Sequence, residues 1–211
     1  MKWGQFYRLV ADQPVFSSAI LLAGDISAGD VRRQLSRWVR TGKVIPLRRG
    51  LYTLASPYRK IDPHLFLVAN AMKAASYVSL QSALAYYGLI PEYTPVVTSV
   101  TTGRPERIET ALGTFSFFHV RKTWFTGYKR VEVKGGQWVF LAGPEKSLLD
   151  LVYLTARADG REYLRELRLQ NLDRLDGKEL ARLARESGSP KLIRAAERIS
   201  LLREEEERAG E

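Results

Sequence analysis

The chain contains no cysteine among its 211 residues, which excludes disulfides, thiolate metal sites and a cysteine nucleophile. Histidine is almost as scarce, and His64 and His119 alone cannot build a metal centre of several histidines. No apolar run approaches the roughly 18 residues of a membrane-spanning helix, and the best of them, Leu65–Met72, is far shorter. The first residues also lack the basic, apolar and small-residue order of a secretion signal. We therefore expect a soluble, cytoplasmic protein without a membrane partner.

Acidic residues are scarce at the start of the chain. Residues 1–60 contain 11 Lys and Arg but only three Asp and no Glu, and this segment carries +8 of the formal net charge of +10. So concentrated a positive charge points to a polyanionic partner, and to nucleic acid before a membrane. The alternative is a solvated basic face that has no partner.

The beginning of this basic segment predicts two short helices. Residues 2–11 have the spacing of an amphipathic helix, and Ser17 can cap a second helix over residues 18–23 that ends at Gly24. A turn over residues 24–26 follows. The side chains expected on the apolar face of the first helix are Phe6, Leu9 and Val10.

A third helix, over residues 28–41, is the most informative element of the segment. Ser27 and Asp30 have the spacing of a capping box that would start it. Its apolar stripe is formed by Val31, Leu35, Trp38 and Val39. At about 100° per residue, the opposite face carries Arg33, Ser36, Arg37 and Arg40, with Arg32 and Gln34 on its flanks. A DNA recognition helix requires an apolar face that packs on the protein and an exposed face of donors such as arginine, since arginine binds guanine edges and phosphates.

Two short strands are predicted after this helix. Gly42 ends the helix, and strands over residues 44–47 and 51–54 are joined by Arg48, Arg49 and Gly50. Three helices and a hairpin with two arginines at its tip are the order of a winged helix-turn-helix, whose wing contacts the DNA backbone. The sequence thus predicts an N-terminal DNA-binding domain over residues 1–56.

Residues 57–211 predict a second, mixed α+β domain with a helical C-terminal end. Asp62 and Ser79 are expected to cap helices over residues 63–72 and 80–87. Lys146 and Asp150 are spaced to pair on a helix face, as a packing feature. Strands are predicted over residues 96–102, 113–120, 131–134 and 137–141, and further helices over 144–154, 161–170, 177–186 and 190–208.

Catalytic motifs are missing from the sequence. It has no glycine-rich phosphate loop, no G-x-S-x-G and no H-E-x-x-H, so we predict no enzymatic activity, no cofactor and no metal. One alternative comes from Glu132 and Lys134, which match half of the metal-dependent nuclease pattern E-x-K. That site needs a further carboxylate upstream, where Glu106 and Glu109 are poor substitutes. A nuclease with a winged-helix targeting domain therefore remains an alternative hypothesis.

Four segments of the chain closely resemble the AbiEi antitoxin family: QLSRWVRTGKVIPLRRGLYTL (34–54), YVSLQSALAYYGLIPE (77–92), VTSVTTGRP (97–105) and PEKSLLDLVYL (144–154). The resemblance implies a bacterial transcriptional regulator that represses its own operon by binding repeats in the promoter. It also implies an antitoxin of a type IV system, linked to abortive phage infection, which counteracts a nucleotidyltransferase-like toxin without direct contact. An orphan regulator, or a module that binds RNA or an acidic protein, is the other alternative.

The resemblance also implies which residues contact double-stranded DNA. On the third helix and the wing these are Ser27, Arg32, Arg33, Ser36, Arg37, Arg40, Arg48 and Arg49. We expect Arg33, Ser36 and Arg37 to contact bases. The residues expected to contact phosphates are Arg40, Lys43, Arg48 and Arg49.

Overall fold

The computed structural model describes residues 1–22, 27–91 and 95–210. Within these ranges, α-helices and two separate β-sheets alternate along the chain, so the α+β fold class expected from the sequence is confirmed. In the same part of the chain, no helix combines the length and the hydropathy needed to cross a membrane.

The N-terminal residues fold around a small antiparallel sheet with the strand order β1-β3-β2. Its elements are α1 (Trp3–Val10), β1 (Phe16–Ser17), a 3₁₀ helix (Ser18–Leu22), α2 (Ala28–Arg40), β2 (Val44–Arg48) and β3 (Leu51–Leu54). Aromatic side chains hold α1 against α2, since the rings of Phe6 and Trp38 stack with their centroids 4.2 Å apart. The indole of Trp3 meets Trp38 edge-on at 5.3 Å.

The rest of the chain is organised by a six-stranded mixed sheet with the order β6-β7-β5-β4-β9-β8. Its strands are β4 (Ser76–Val78), β5 (Val96–Thr101), β6 (Glu106–Thr110), β7 (Gly113–His119), β8 (Tyr128–Val133) and β9 (Gln137–Ala142). The pairs β5–β7 and β4–β9 are parallel, and the other neighbours are antiparallel. Strands β6 and β8 are therefore the two edges of the sheet.

Helices cover this sheet on both faces. They are α3 (Leu65–Met72), α4 (Leu80–Tyr86), α5 (Pro144–Leu154), α6 (Arg161–Glu166), α7 (Gly177–Glu186) and α8 (Pro190–Gly210), with 3₁₀ helices at Lys122–Trp124 and Leu172–Arg174. On one face, α4 and α5 pack together and α7 and α8 pack behind them, in a core that includes Tyr77 and Leu148. On the other face, α3 and the β2–β3 hairpin share a core with Phe115 and Leu141. The N-terminal unit is therefore attached to the body through Leu47 of its hairpin.

One predicted helix start and one predicted buried residue are wrong. Leu9 is exposed, whereas Phe6 and Val10 are buried and Trp3 and Tyr7 pack against the same core. Helix α3 begins at Leu65, where Nδ1 of His64 accepts the amide hydrogen of Phe66, so His64 is the capping residue that Asp62 was expected to be. The proposed end of the second helix at Ala23–Gly24, and the turn after it, lie outside the described residues.

Other elements differ because they depend on tertiary pairing. Strands β1, β4 and β6 were not predicted; they are two, three and five residues long and form against distant partners. The β8–β9 connection comprises three residues, 134–136, since Val133 pairs with Gln137. Helix α6 ends at Glu166, four residues before the predicted end.

Ser79 does not cap α4, because its hydroxyl is engaged elsewhere. It donates to Oδ2 of the buried Asp150 at 2.7 Å, and the Tyr77 hydroxyl donates to the same oxygen at 3.0 Å. The other carboxylate oxygen accepts from Nε1 of Trp124 at 2.7 Å and from the ammonium of Lys146. Burial raises the pKa of Asp150 and lowers that of Lys146, whereas their ion pair opposes both shifts.

The predicted pairing of Lys146 with Asp150, as a packing feature, is thus confirmed, and both side chains are buried. The ammonium of Lys146 also lies 4.0 Å from the ring centroid of Trp124. Because donors from β4, the loop before α4, a 3₁₀ helix and α5 all meet at Asp150, this cluster fixes the position of α5 against the sheet.

Candidate nucleic-acid interface

The capping residues of α2 fix the start of the helix that carries most of the candidate residues. The Ser27 hydroxyl accepts the amide hydrogen of Asp30 at 3.1 Å and donates to its carboxylate at 2.7 Å. Nη2 of Arg33 lies 2.6 Å from the other oxygen of that carboxylate. The Ser27 hydrogen bond and the Arg33 charge hold the pKa of Asp30 below its usual value. Ser27 therefore acts as a helix cap, as its spacing predicted.

The rotation of α2 is fixed by its buried face. Val31, Leu35 and Trp38 are buried, as the periodicity predicted, while Val39 is half-buried at the edge of the stripe. Their burial against α1 and β2 leaves the opposite face open. The residues exposed on that face are Arg32, Arg33, Ser36, Arg37 and Arg40.

These exposed side chains differ in their contacts. Arg33 is paired with Asp30, and Nη2 of Arg37 donates to Oε1 of Gln34 at 2.7 Å. In the described part of the chain, Arg32 and Arg40 have no side-chain partner. The helix thus presents two guanidinium groups held by neighbours one turn away and two that are available to a ligand.

Arg49 lies at the exposed tip of the β2–β3 hairpin, beside α2. A shallow groove between these elements is lined by both Arg32 and Arg49, with Ser18, Tyr52 and Leu35 among its other residues. Gly50 follows with φ +81°, a conformation that favours glycine, and its carbonyl accepts the amide hydrogen of Ser18 at 2.8 Å. The hairpin therefore places Arg49 next to the arginine face of α2, as the sequence predicted.

Arg48 points away from that face, contrary to expectation. Its Nη1 donates to the carbonyl of Met72 at 2.7 Å and lies 3.2 Å from Oε1 of Glu106 on strand β6. Lys73 also binds this carboxylate and, with Arg48, lowers the pKa of Glu106. A register shift in β2 between Pro46 and Arg48 accompanies this orientation. The contact could not be read from the sequence, because Glu106 is 58 residues away and in a strand that was not predicted.

Lys43 is half-buried among aromatic rings beyond the end of α2. Its ammonium lies 4.8 Å from the ring centroid of Trp3 and 5.6 Å from that of Tyr58. Among the other basic residues of the segment, Lys60 is paired with Asp12 and Arg59 with Asp62. Among the described residues of the segment, the charges that no acidic side chain compensates include Arg32, Arg37 and Arg40 on α2 and Arg49 at the hairpin tip, and also Lys2 and Arg8 at the start of the chain.

Comparison of the chain with protein-family models and with curated proteins finds no match.

The carboxylates of the alternative nuclease site are not brought together. Glu132 lies on edge strand β8 and both Glu106 and Glu109 on the opposite edge, β6. Five strand spacings separate the two edges, a distance of about 24 Å at roughly 4.8 Å per strand. Glu106 is also bound by Lys73 and Arg48. Within the described ranges, no three His, Cys, Asp or Glu side chains form a group that could hold a metal ion.

Proposed function

We propose that residues 1–56 form a winged helix-turn-helix domain and that the protein is a sequence-specific transcriptional repressor that binds double-stranded DNA. In this proposal α2 is the recognition helix and the β2–β3 hairpin is the wing. The observation that carries it is the exposed face of α2, where four arginines and Ser36 lie opposite a buried apolar face. An α-helix fits the major groove, and arginine is the side chain that most often reads guanine there.

Each residue has a role that follows from its contacts. Arg33 and Arg37 contact base edges together with Ser36, since all three lie on the exposed face of α2, where Asp30 and Gln34 are hydrogen-bonded to the two guanidinium groups. Arg32, Arg40 and Arg49 contact phosphates, since their side chains are exposed. Lys43 adds a phosphate contact from the end of the helix. Arg48 is left out of the DNA contacts because it binds Glu106 and the Met72 carbonyl.

We propose further that the protein represses its own operon and acts as the antitoxin of a type IV system. The support is the resemblance of four segments to the AbiEi family. Two of these segments, residues 77–92 and 144–154, meet inside the body, where Tyr77 and Ser79 bind Asp150. The body would counteract a nucleotidyltransferase-like toxin without binding it.

DNA binding is tested with the purified full chain, its own promoter and a shuffled duplex of the same composition. Both affinities are measured at about 50 and 200 mM salt, a range over which phosphate contacts alone lose affinity steeply. Promoter binding that is orders of magnitude tighter, and persists at the higher salt, is the expected result. Equal binding to both duplexes that collapses at the higher salt would contradict sequence-specific repression.

The antitoxin role is tested separately in cells. The nucleotidyltransferase-like protein encoded beside this gene is expressed alone and together with this protein, and growth is followed. Relief of growth arrest by the intact chain is expected. No relief, or no such neighbouring gene, would contradict the antitoxin role and leave the repressor proposal standing.

A further inference from the structure

Four side chains of the β8–β9 hairpin form an exposed surface, the aromatic face: Tyr128, Arg130, Trp138 and Phe140. The antiparallel register pairs Arg130 with Phe140, so alternate residues of the two strands share this side of the sheet. The residues Tyr128, Trp138 and Phe140 are 37%, 45% and 46% exposed. Residues that alternate with them, such as Val139 and Leu141, are buried on the other side. The hairpin therefore exposes large rings where a strand face would ordinarily be polar or covered.

The helical layer ends at this face. Tyr77 belongs to the core beneath α4 and α5, and Tyr128 stacks on it with ring centroids 4.6 Å apart. Phe140 meets Tyr128 edge-on at 6.0 Å. Trp138 lies farther out, where the guanidinium of Arg130 sits 4.6 Å from its ring centroid. The rings thus form a row that leads from the protein core to the free end of the hairpin.

Hydrogen bonds to α3 and to the residues just before it hold the β8–β9 hairpin in place. The side chain of Asn70 on α3 accepts the Phe140 amide hydrogen at 2.7 Å. Gln137 accepts the His64 amide hydrogen and donates to the Asp62 carbonyl, both at 2.9 Å. A platform that is already ordered loses little conformational entropy when a flat ligand stacks on it.

The charge beside these rings is mainly positive. Arg130 lies within the face and Lys134 is exposed in the turn that follows β8, whereas Lys129 pairs with Leu141 and so points to the other side of the sheet. Glu132 is the acidic side chain on this face of β8. Exposed rings next to cations are what single-stranded nucleic acids bind, because bases stack on the rings and phosphates bind the cations.

We propose that the aromatic face binds single-stranded nucleic acid, with bases stacked on Trp138 and Phe140 and a phosphate bound by Arg130. Bases within a duplex are already stacked on one another, so the face selects unpaired strands. It lies on the opposite side of the sheet from the β2–β3 hairpin, which packs in the core with Leu141. The site is therefore separate from the proposed duplex-binding face of α2, and either could exist without the other.

The test uses the full chain and fluorescently labelled oligo-U RNA, oligo-dT DNA and a duplex, each about 12 nucleotides long, within the roughly 4–16 nucleotides of known single-strand sites. Fluorescence anisotropy gives the affinities. Binding of at least one of the two single strands is expected, and it should depend on the aromatic face, whereas binding of the duplex should depend on α2. A preference for RNA would identify contacts to the 2′-hydroxyl, and equal binding of RNA and DNA would identify base stacking alone.

Variants then locate the site. Each of W138A and F140A weakens single-strand binding about fivefold or more, and the pair weakens it about 30-fold, whereas W138F retains a stacking ring and most of the affinity. R130Q makes the negative slope of log K against log salt shallower by about 0.7, which is the value for one phosphate contact on a single strand. Phe118→Ala is the matched control, since Phe118 is an exposed ring on β7 of the same sheet, three strands from β9.

Promoter-duplex affinity is measured with the same variants and should not change, which separates this site from the proposed repressor function. The proposal is overturned if the wild-type chain binds neither single strand. It is also overturned if the W138A/F140A variant binds single strands as tightly as the Phe118→Ala control.

Discussion

The Nη1 atom of Arg48, at the tip of the β2–β3 hairpin, lies 3.2 Å from a carboxylate oxygen of Glu106 on the far edge strand of the large sheet. The same nitrogen donates to the Met72 carbonyl at 2.7 Å. This contact joins the N-terminal unit to the body and occupies an arginine that a wing would otherwise present to DNA. In the proposed complex the hairpin therefore binds both the body and the DNA, with Arg48 and Arg49 facing different ways.

Replacing Glu106 with Gln should release Arg48 toward DNA. The variant loses the carboxylate that competes with a phosphate, so we expect tighter binding of any duplex and a slope of log K against log salt that is steeper by about 0.9. A salt titration of duplex binding measures both. The E106Q/R48A double variant is the control and should have the wild-type slope; an unchanged slope in E106Q itself would contradict the competition.

Stability should depend on pH through Glu106. Its pKa is lowered mainly by the hydrogen bond from Lys73. A carboxyl whose pKa is depressed by folding stabilises the native state above its unfolded pKa and loses that contribution as the pH falls through its folded pKa. The free energy of unfolding in urea should therefore fall as the pH is lowered from 6 to below the ordinary glutamate pKa of about 4.3. The fall should be smaller in E106Q than in the wild-type protein. Parallel curves for the two proteins would show that Glu106 does not contribute.

Ser27, the capping residue of α2, should contribute to the stability of the fold and not to base recognition. Ser27→Ala removes the acceptor for the Asp30 amide, and we expect the free energy of unfolding to fall by about 1 kcal/mol. Ser27→Asn retains a good cap and should restore stability. If Ser27→Asn nevertheless loses specific DNA binding while the fold remains intact, Ser27 contacts DNA directly.

Removing Lys146 from its buried ion pair with Asp150 should lower the free energy of unfolding considerably. Lys146→Met fills similar space but leaves the Asp150 carboxylate without its counter-ion, and we expect a loss of about 3–5 kcal/mol in the free energy of unfolding. Lys178→Met, at a position on α7, serves as a comparison outside the pair. A loss below about 1 kcal/mol would show that Tyr77, Ser79 and Trp124 satisfy the carboxylate without Lys146.

Patterns along single elements predicted much of this fold. The spacing of Val31, Leu35 and Trp38 determined the buried face of α2, and the arginine face followed from it because a helix has a fixed periodicity. The β2 and β3 strands and helix α5 also lie where their local patterns predicted.

Contacts between distant residues could not be predicted in this way. Ser79 follows a strand and precedes a helix, which favours a cap, but the buried Asp150, 71 residues away, takes its hydroxyl instead. Nothing near Arg48 in the sequence distinguishes it from Arg49, and only the position of β6 separates their roles. The aromatic face was also missed, since Trp138 and Phe140 become a surface only because the helical layer ends beside them.

Base recognition by α2 is tested most directly by comparing Arg37→Ala with Arg40→Ala. Each variant is titrated against the promoter duplex and the shuffled duplex at one salt concentration, with Arg185→Ala on α7 as the control. Arg37→Ala should weaken promoter binding by about 1–3 kcal/mol and leave shuffled-duplex binding nearly unchanged, whereas Arg40→Ala should weaken both equally. Equal losses on both duplexes for Arg37→Ala would contradict the claim and make α2 a helix that binds only the DNA backbone.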